Sequence, residues 1–362
     1  MDADRSKVMA YRILAQQLQR VDLPPAKLAV LDLGVQDTPY GVARQALAAR
    51  TSKPVDDPDL RLVWSHRGAP HLHRTADLPA LAAALWPVSD ADAAARFVTT
   101  PVKASAPLGV DAYRQTADAF RAVVGAPMLK GEVSTAVSAR IDPKLTLDCR
   151  PCGARHISGQ LFQLAGLAGG VGVRVDGSAT VIEPLADRGA IPKKMAGLDA
   201  VIRAYLRLLG PATAAEVAKF VGTTQAHLKP YWPDDLAEIR VDGRRAFLPA
   251  DAVDAFAAAE HPDAVRLLPP SDPFLQARDR ALIVPDKARQ GEVWRILGNP
   301  GAVLAGGEIA GTWRAKASGR KLLTVTVTAF AKLPKNTRDA IEAEAETLAG
   351  VRATAAAAVT FE

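Results

Sequence analysis

Apolar positions near the middle of the chain recur with the periods of a helix and then of a strand. Leu198, Ile202, Leu206 and Leu209 fall three or four apart and share one helical face. Gly210-Pro211 stops that helix, because proline has no N–H to donate and its ring crowds the preceding turn. Thr213-Ala214-Ala215-Glu216 then has capping-box form ahead of Val217, Phe220 and Val221. Gly222 closes this second helix, and Thr223 or Thr224 offers a cap for a third that ends near Tyr231. From Ile239 to Phe247 the period drops to two around Asp242-Gly243, a pair that tolerates the positive φ of a tight hairpin turn. Three helices and a basic hairpin predict a winged helix. Its third helix offers Gln225, His227 and Lys229, and its wing offers Arg240, Arg244 and Arg245, residue types suited to a DNA groove and its phosphates.

The same order recurs upstream. Tyr113, Phe120 and Val124 line a longer amphipathic helix, Gly125-Ala126-Pro127 breaks it, and Glu132-Val133-Ser134-Thr135-Ala136-Val137 repeats the Glu-Val-x-x-x-Val of Glu216 to Val221. Lys130, at the head of this copy, joins the DNA-facing set. The N-terminal stretch predicts helices over 5–20, 24–33 and 40–50 and a hairpin over 60–74. Beyond Pro262 short β-rich runs at 281–284, 302–305, 309–314 and 321–328 precede a helix over 337–349 and a closing strand over 353–361. The expected fold is therefore α+β: three tandem winged-helix units over 1–95, 96–190 and 191–262, then a small C-terminal β-barrel with a helix over 263–362.

Charge and composition narrow the partners. The 362 residues are 49% hydrophobic and carry 45 Lys and Arg against 39 Asp and Glu, a net charge of +6 that favours a polyanionic partner. No apolar run reaches the length of a membrane span, the start lacks an apolar leader, and a cytoplasmic protein is expected. No Gly-rich phosphate loop or nucleotide fingerprint occurs, so no cofactor is expected. The two cysteines, Cys149 and Cys152, are too few for a disulfide framework. With His156 they form Cys-x2-Cys-x3-His, one ligand short of a usual structural zinc site, so a reduced pair in a turn is the plainer expectation. Lys193-Lys194 reads as a solvated pair, and Trp64, Trp232, Trp294 and Trp313 read as packing residues.

Candidate chemistry concentrates in the first unit. Gln36-Asp37 sets a carboxamide beside a carboxylate, and Val63 to Arg74 holds three of the six histidines. Alternation along a strand puts His71 and His73 on one face, and with Arg67 and Arg74 they make a basic ribbon able to meet phosphates. Asp37 equally suits a turn or helix cap before Thr38-Pro39.

Four segments together resemble the winged-helix DNA glycosylases of the AlkZ and YcaQ kind: Leu33-Gly34-Val35-Gln36-Asp37-Thr38-Pro39; Trp64-Ser65 with Arg67-Gly68 and His71; Arg266-Leu267-Leu268-Pro269 with Asp272-Pro273-Phe274; and Gly311-Thr312-Trp313-Arg314. The resemblance covers nearly the whole length. It implies three winged helices and a barrel around a basic channel for double-stranded DNA, and hydrolysis of the N-glycosidic bond of alkylated purines or the unhooking of interstrand crosslinks. It further implies a catalytic Gln-x-Gln or Gln-aliphatic-Asp motif, which here is altered. If Asp37 is the last residue of the motif the leading position holds Val35, and if Gln36 is last it holds Gly34. Asp37 and Gln36 are nonetheless the expected catalytic pair, in a monofunctional reaction, since no lysine nucleophile follows. A non-enzymatic DNA-binding protein, such as a regulator or damage binder, is the alternative. A regulator would usually dimerise on a palindrome, whereas several winged units in one chain act as a monomer.

Overall fold

The hairpin expected around Asp242-Gly243 forms from Leu236–Val241 and Arg244–Pro249, and both turn residues take positive φ, 47° and 78°. A computed structural model describes residues 1–362 as a mixed α+β fold. Its chain gathers into two units, one of Met1–Pro58, Arg203–Glu216 and Asp234–Glu362, the other of Asp59–Ile202 and Val217–Pro233.

In the first unit the helix Arg5–Ala15 starts where the Asp4 carboxylate accepts the Lys7 N–H at 2.8 Å. It ends short of the expected residue 20, because Gln17 and Arg20 adopt φ of 58° and 66°. Val8 and Tyr11 pack on Ile239, Val241, Ala246, Leu248 and Phe256, and Asp2–Ala3 adds a parallel strand to the hairpin with Asp2 opposite Arg240. The helix expected over 24–33 is instead two 3-10 turns, Pro25–Lys27 and Ala29–Asp32, divided by the extended Leu28. Thr213 and Glu216 close the expected capping box: the Glu216 N–H donates to the Thr213 hydroxyl at 3.3 Å and the Thr213 N–H to the Glu216 carboxylate at 2.7 Å.

The helix Val42–Ala48 is held at its carbonyl end by three guanidinium groups. Arg50 donates to Ala46 O at 2.8 Å, Arg20 to Ala48 O at 3.1 Å and Arg266 to Ala49 O at 3.0 Å. These donors satisfy the last carbonyls and oppose the negative end of the helix dipole. Arg50 is also paired with Asp272 at 2.8 Å, both side chains wholly out of water, and its second branch donates to Gln16 Oε1 at 3.0 Å. Asp272 in turn accepts the Phe274 N–H at 2.9 Å and starts the turn Pro273–Gln276. A second pair, the buried Arg12 with the half-buried Asp279 at 2.6 Å, reaches the end of the helix Leu198–Leu209, where Arg12 donates to Gly210 O at 3.1 Å.

The C-terminal strands lie in the order Arg266–Leu268, Gly301–Ala305, Glu308–Ser318, Leu322–Ala329, Ala356–Phe361. The first and last strands are edges that do not pair with each other, so the expected barrel is an open sheet. The last two strands run parallel, and the crossover between them is the helix Lys335–Val351. Ile341, Ala345 and Leu348 of that helix cover Trp313, Leu323, Val325 and Val327. The strand expected over 281–284 is a single helical turn, Arg280–Ile283, because the Leu282 and Val284 N–H groups bond locally to Asp279 O and Arg280 O at 2.8 Å each.

The second unit is built around the hairpin Leu60–Trp64/Pro70–Arg74, with Val63 opposite His71. Trp64 stacks edge-on against Phe162 at 5.5 Å, and Phe162 meets Phe120 at 4.7 Å. Gly166 is required there, since a Cβ would lie 2.8 Å from the Trp64 ring. His71 and His73 do share one strand face, and it is the inner one: each is 2% exposed. His66 joins them, 5.5 Å from His71 and 4.9 Å from Phe220. The His71 Nδ1–H donates to Ala69 O at 2.9 Å, and His73 Nε2 meets the Ser65 hydroxyl at 2.9 Å. Burial pushes His71 down to about 3 and holds His73 well below the ordinary imidazole range.

Replacing Arg50 with Met strands the Asp272 carboxylate in the interior and should cost about 3–5 kcal/mol in urea unfolding, part of it regained by adding Asp272→Leu. Histidines with depressed folded pKa values stabilise fully above their unfolded value of about 6.5, and that contribution is lost as the pH falls below it, because the unfolded chain then takes up protons that the buried rings cannot. The melting temperature should therefore drop between pH 7.5 and pH 5, and less steeply in His71→Phe; equal slopes would mean the rings do not set the acid limb.

Candidate functional site

Asp37 sits in the first unit on a loop shaped by left-handed glycines, Gly34 at φ 76° and Gly41 at φ 90°. The extended pair Val35–Gln36 leads into it, leaving Gln36 half-buried and Asp37 8% exposed. The Asp37 carboxylate accepts the Ala43 N–H at 2.8 Å, and the Gly41 and Val42 N–H groups also point to it. It thus caps the helix Val42–Ala48 and has a fixed orientation. Burial pushes its pKa up, while these three backbone donors pull the other way. Thr38 O accepts the Ser271 hydroxyl at 3.0 Å, which ties the loop to the segment that carries Asp272. The site is therefore an oriented, poorly hydrated carboxylate beside a carboxamide, able to stabilise a developing cation and to align a water.

The hairpin arginines of the same unit are exposed. Arg240 and Arg245 face each other across the strands, Arg245 pairs with Glu238 at 2.6 Å, and its guanidinium lies 5.0 Å over the Phe247 ring. Arg244 and Arg245 line a cleft of about 470 Å³ together with Arg5, Arg278 and Arg280. Those last three are absent from the sequence-derived set. The doublet Arg278-Asp279-Arg280, close behind Asp272-Pro273-Phe274, was the available signal.

In the second unit the residues expected on DNA divide. Gln225 and Lys229 lie exposed on the short helix Gln225–Leu228 and the turn after it, and Lys130 holds its ammonium 5.7 Å over the Trp64 ring. His227 leans inward toward the buried Asp92, at 3.4 Å. Arg67 takes φ 57° in the hairpin turn, where its guanidinium donates to Phe220 O and stacks over the Phe220 ring. Arg74 is half-buried beside Asp77 at 3.2 Å. His71 and His73 thus build the interior of the hairpin and the half-buried Arg67 braces its turn, instead of the expected outward row, because the period fixes a shared face but not which face turns to the core. Trp64, Ser65, Arg67, Tyr113 and Gln160 enclose a smaller cavity of about 190 Å³. At a separate hairpin, Thr146–Cys149/Ala154–Ile157, the ligand atoms of Cys149, Cys152 and His156 lie within 4.8 Å of one another.

The chain is 29% identical over 139 residues to the interstrand DNA cross-link repair glycosylase of Streptomyces sahachiroi, a match spanning 35% of this chain and 37% of that protein. The structure of the Streptomyces sahachiroi DNA glycosylase AlkZ superposes with a TM-score of 0.77 at 23% identity, covering 100% of both chains, and so has the same fold. A family model described as DNA glycosylase AlkZ-like matches residues 12–351, and the chain belongs to that AlkZ-like family.

Proposed function

We propose that this chain is a monofunctional DNA glycosylase that hydrolyses the N-glycosidic bond of alkylated purines, including those joined in interstrand crosslinks. The observation that carries this reading is the buried, backbone-oriented carboxylate of Asp37 in a chain matched to the AlkZ-like glycosylases over residues 12–351. An N-alkylated purine is already cationic and leaves readily, so the enzyme needs chiefly to stabilise an oxocarbenium-like sugar and align water. Asp37 supplies both: its negative charge is little screened by solvent, and one carboxylate oxygen positions the attacking water. The Gln36 amide holds that water or the lesion.

In the same reading the chain is three winged-helix units over 1–95, 96–190 and 191–262 followed by the C-terminal sheet, and it meets double-stranded DNA as a monomer. Arg240, Arg244, Arg245, Lys130, Gln225 and Lys229 form the outer contacts. Arg67, His71, His73 and Arg74 hold their own hairpin in shape. No helix is long and apolar enough to cross a membrane.

The test is release of the base from duplex DNA containing N7-methylguanine or a nitrogen-mustard crosslink, followed as abasic sites under single-turnover conditions. Asp37→Asn keeps an acceptor for the Ala43 N–H and should fold and bind DNA, yet lose at least ~100-fold in rate. Base release must decline on the acid side at a pH above the ordinary carboxylate value of about 3.9, because Asp37 acts ionised and burial raises its pKa. Tight binding by wild type without base release would sink the enzyme and leave the damage binder. Replacing Arg240, Arg244 and Arg245 together with Ala should weaken binding to damaged and undamaged duplexes alike. The slope of log K against log salt should fall by about 0.9 for each phosphate left without its arginine.

A further inference from the structure

The hairpin Thr146–Cys149/Ala154–Ile157 plays no part in the glycosylase reading, yet it concentrates the only two thiols of the chain and one of its six histidines. Cys149 stands opposite Ala154 and Leu147 opposite His156, so Cys149 and His156 share one face, a diagonal step apart. The connection between the strands is Arg150-Pro151-Cys152-Gly153. Gly153 takes φ 61° and returns its N–H to Arg150 O at 3.3 Å. This turn folds Cys152 back until both its backbone N–H and its thiol point at the Cys149 sulfur, and the His156 ring reaches the same sulfur. All three donor atoms lie within 4.8 Å of one another.

We propose that Cys149, Cys152 and His156 bind a zinc ion, with the fourth position left to water or another small donor. Tetrahedral zinc, with Zn–S near 2.3 Å and Zn–N near 2.0–2.1 Å, needs ligand atoms about 3.5–3.8 Å apart, so sub-ångström side-chain shifts close the set. Two sulfurs and an imidazole suit zinc and not the oxygen-seeking magnesium or calcium. The histidine is already prepared for the task. Its Nδ1–H donates to Ile157 O at 2.8 Å, which leaves the Nε2 lone pair as the ligand and fixes the ring plane. Cys152 is exposed, so the ion reaches the site without unfolding. Cys152 and His156 also line a cleft shared with Lys130 and Thr180, which gives the fourth position access to solvent. The ion would pin the hairpin tip beside Lys130, one of the cations assigned to DNA.

The full chain, purified in the presence of a non-thiol reductant and stripped of metal, is titrated with Co²⁺. The expected result is sulfur-to-cobalt charge-transfer absorption and intense tetrahedral d–d bands, saturating at one equivalent and bleached by Zn²⁺. Cys149→Ser/Cys152→Ser abolishes them and His156→Ala weakens binding at least ~10-fold, with far-UV circular dichroism unchanged. Zn²⁺ should also slow alkylation of both thiols in the wild-type chain, a readout that needs no variant. Wild type lacking the charge-transfer band, bands that survive in the double serine variant, or a Cys149–Cys152 disulfide that forms equally fast with and without Zn²⁺ would each overturn the site.

Discussion

Arg50 and Asp272 meet 2.8 Å apart with neither side chain reaching water, and the geometry around Asp37 depends on that meeting. A lone charge in such a place would cost several kcal/mol, so each group commits the chain to bringing up the other. The consequence is architectural. Arg50 ends the helix that Asp37 begins, and Asp272 begins the turn that follows the strand Arg266–Leu268. The pair thereby locks the proposed catalytic loop to the C-terminal sheet, and Ser271 adds a direct bond to that loop.

The helix between them is short, and propensity alone does not hold seven residues helical in water. It persists because both ends are electrostatically satisfied, with a carboxylate at the N–H end and three guanidinium groups at the carbonyl end. The same arrangement serves the chemistry. A carboxylate that accepts several backbone N–H groups is rigid, and one with little access to water is a stronger electrostatic partner for a cation.

Local features were legible in the sequence: the Asp242-Gly243 hairpin, the Thr213–Glu216 capping box, the break at Gly210-Pro211, and the shared face of His71 and His73. Each is set by neighbours a few residues away. What stayed hidden depends on distant contacts. Alternation cannot say which face of the Leu60–Arg74 hairpin meets Phe220, so buried histidines looked like an outward row. The run Ala281-Leu282-Ile283-Val284 has strand character, but its N–H groups are taken by Asp279 and Arg280. Whether five strands close or stay open turns on the two edges, and nothing in Arg266–Leu268 or Ala356–Phe361 announces that. For Asp37 both expected roles had a residue-level basis, and the helix cap is the one visible in the bonds. The Cys-x2-Cys-x3-His spacing was visible too, while the convergence of its donor atoms required the register of the strands.

The first unit is assembled from three stretches of chain, and that has a consequence for synthesis. Arg50 and Asp272 are 222 residues apart, so a ribosome adding about 5–20 residues per second exposes the arginine on the order of ten to forty seconds before its carboxylate. Arg12 waits longer still for Asp279. Much of the second unit, by contrast, is the continuous stretch 59–202, free to condense in the interval. Vectorial synthesis thus favours an order in which the body holding the histidine hairpin matures first, and the carboxylate of Asp37 takes its final setting only once most of the polypeptide is made.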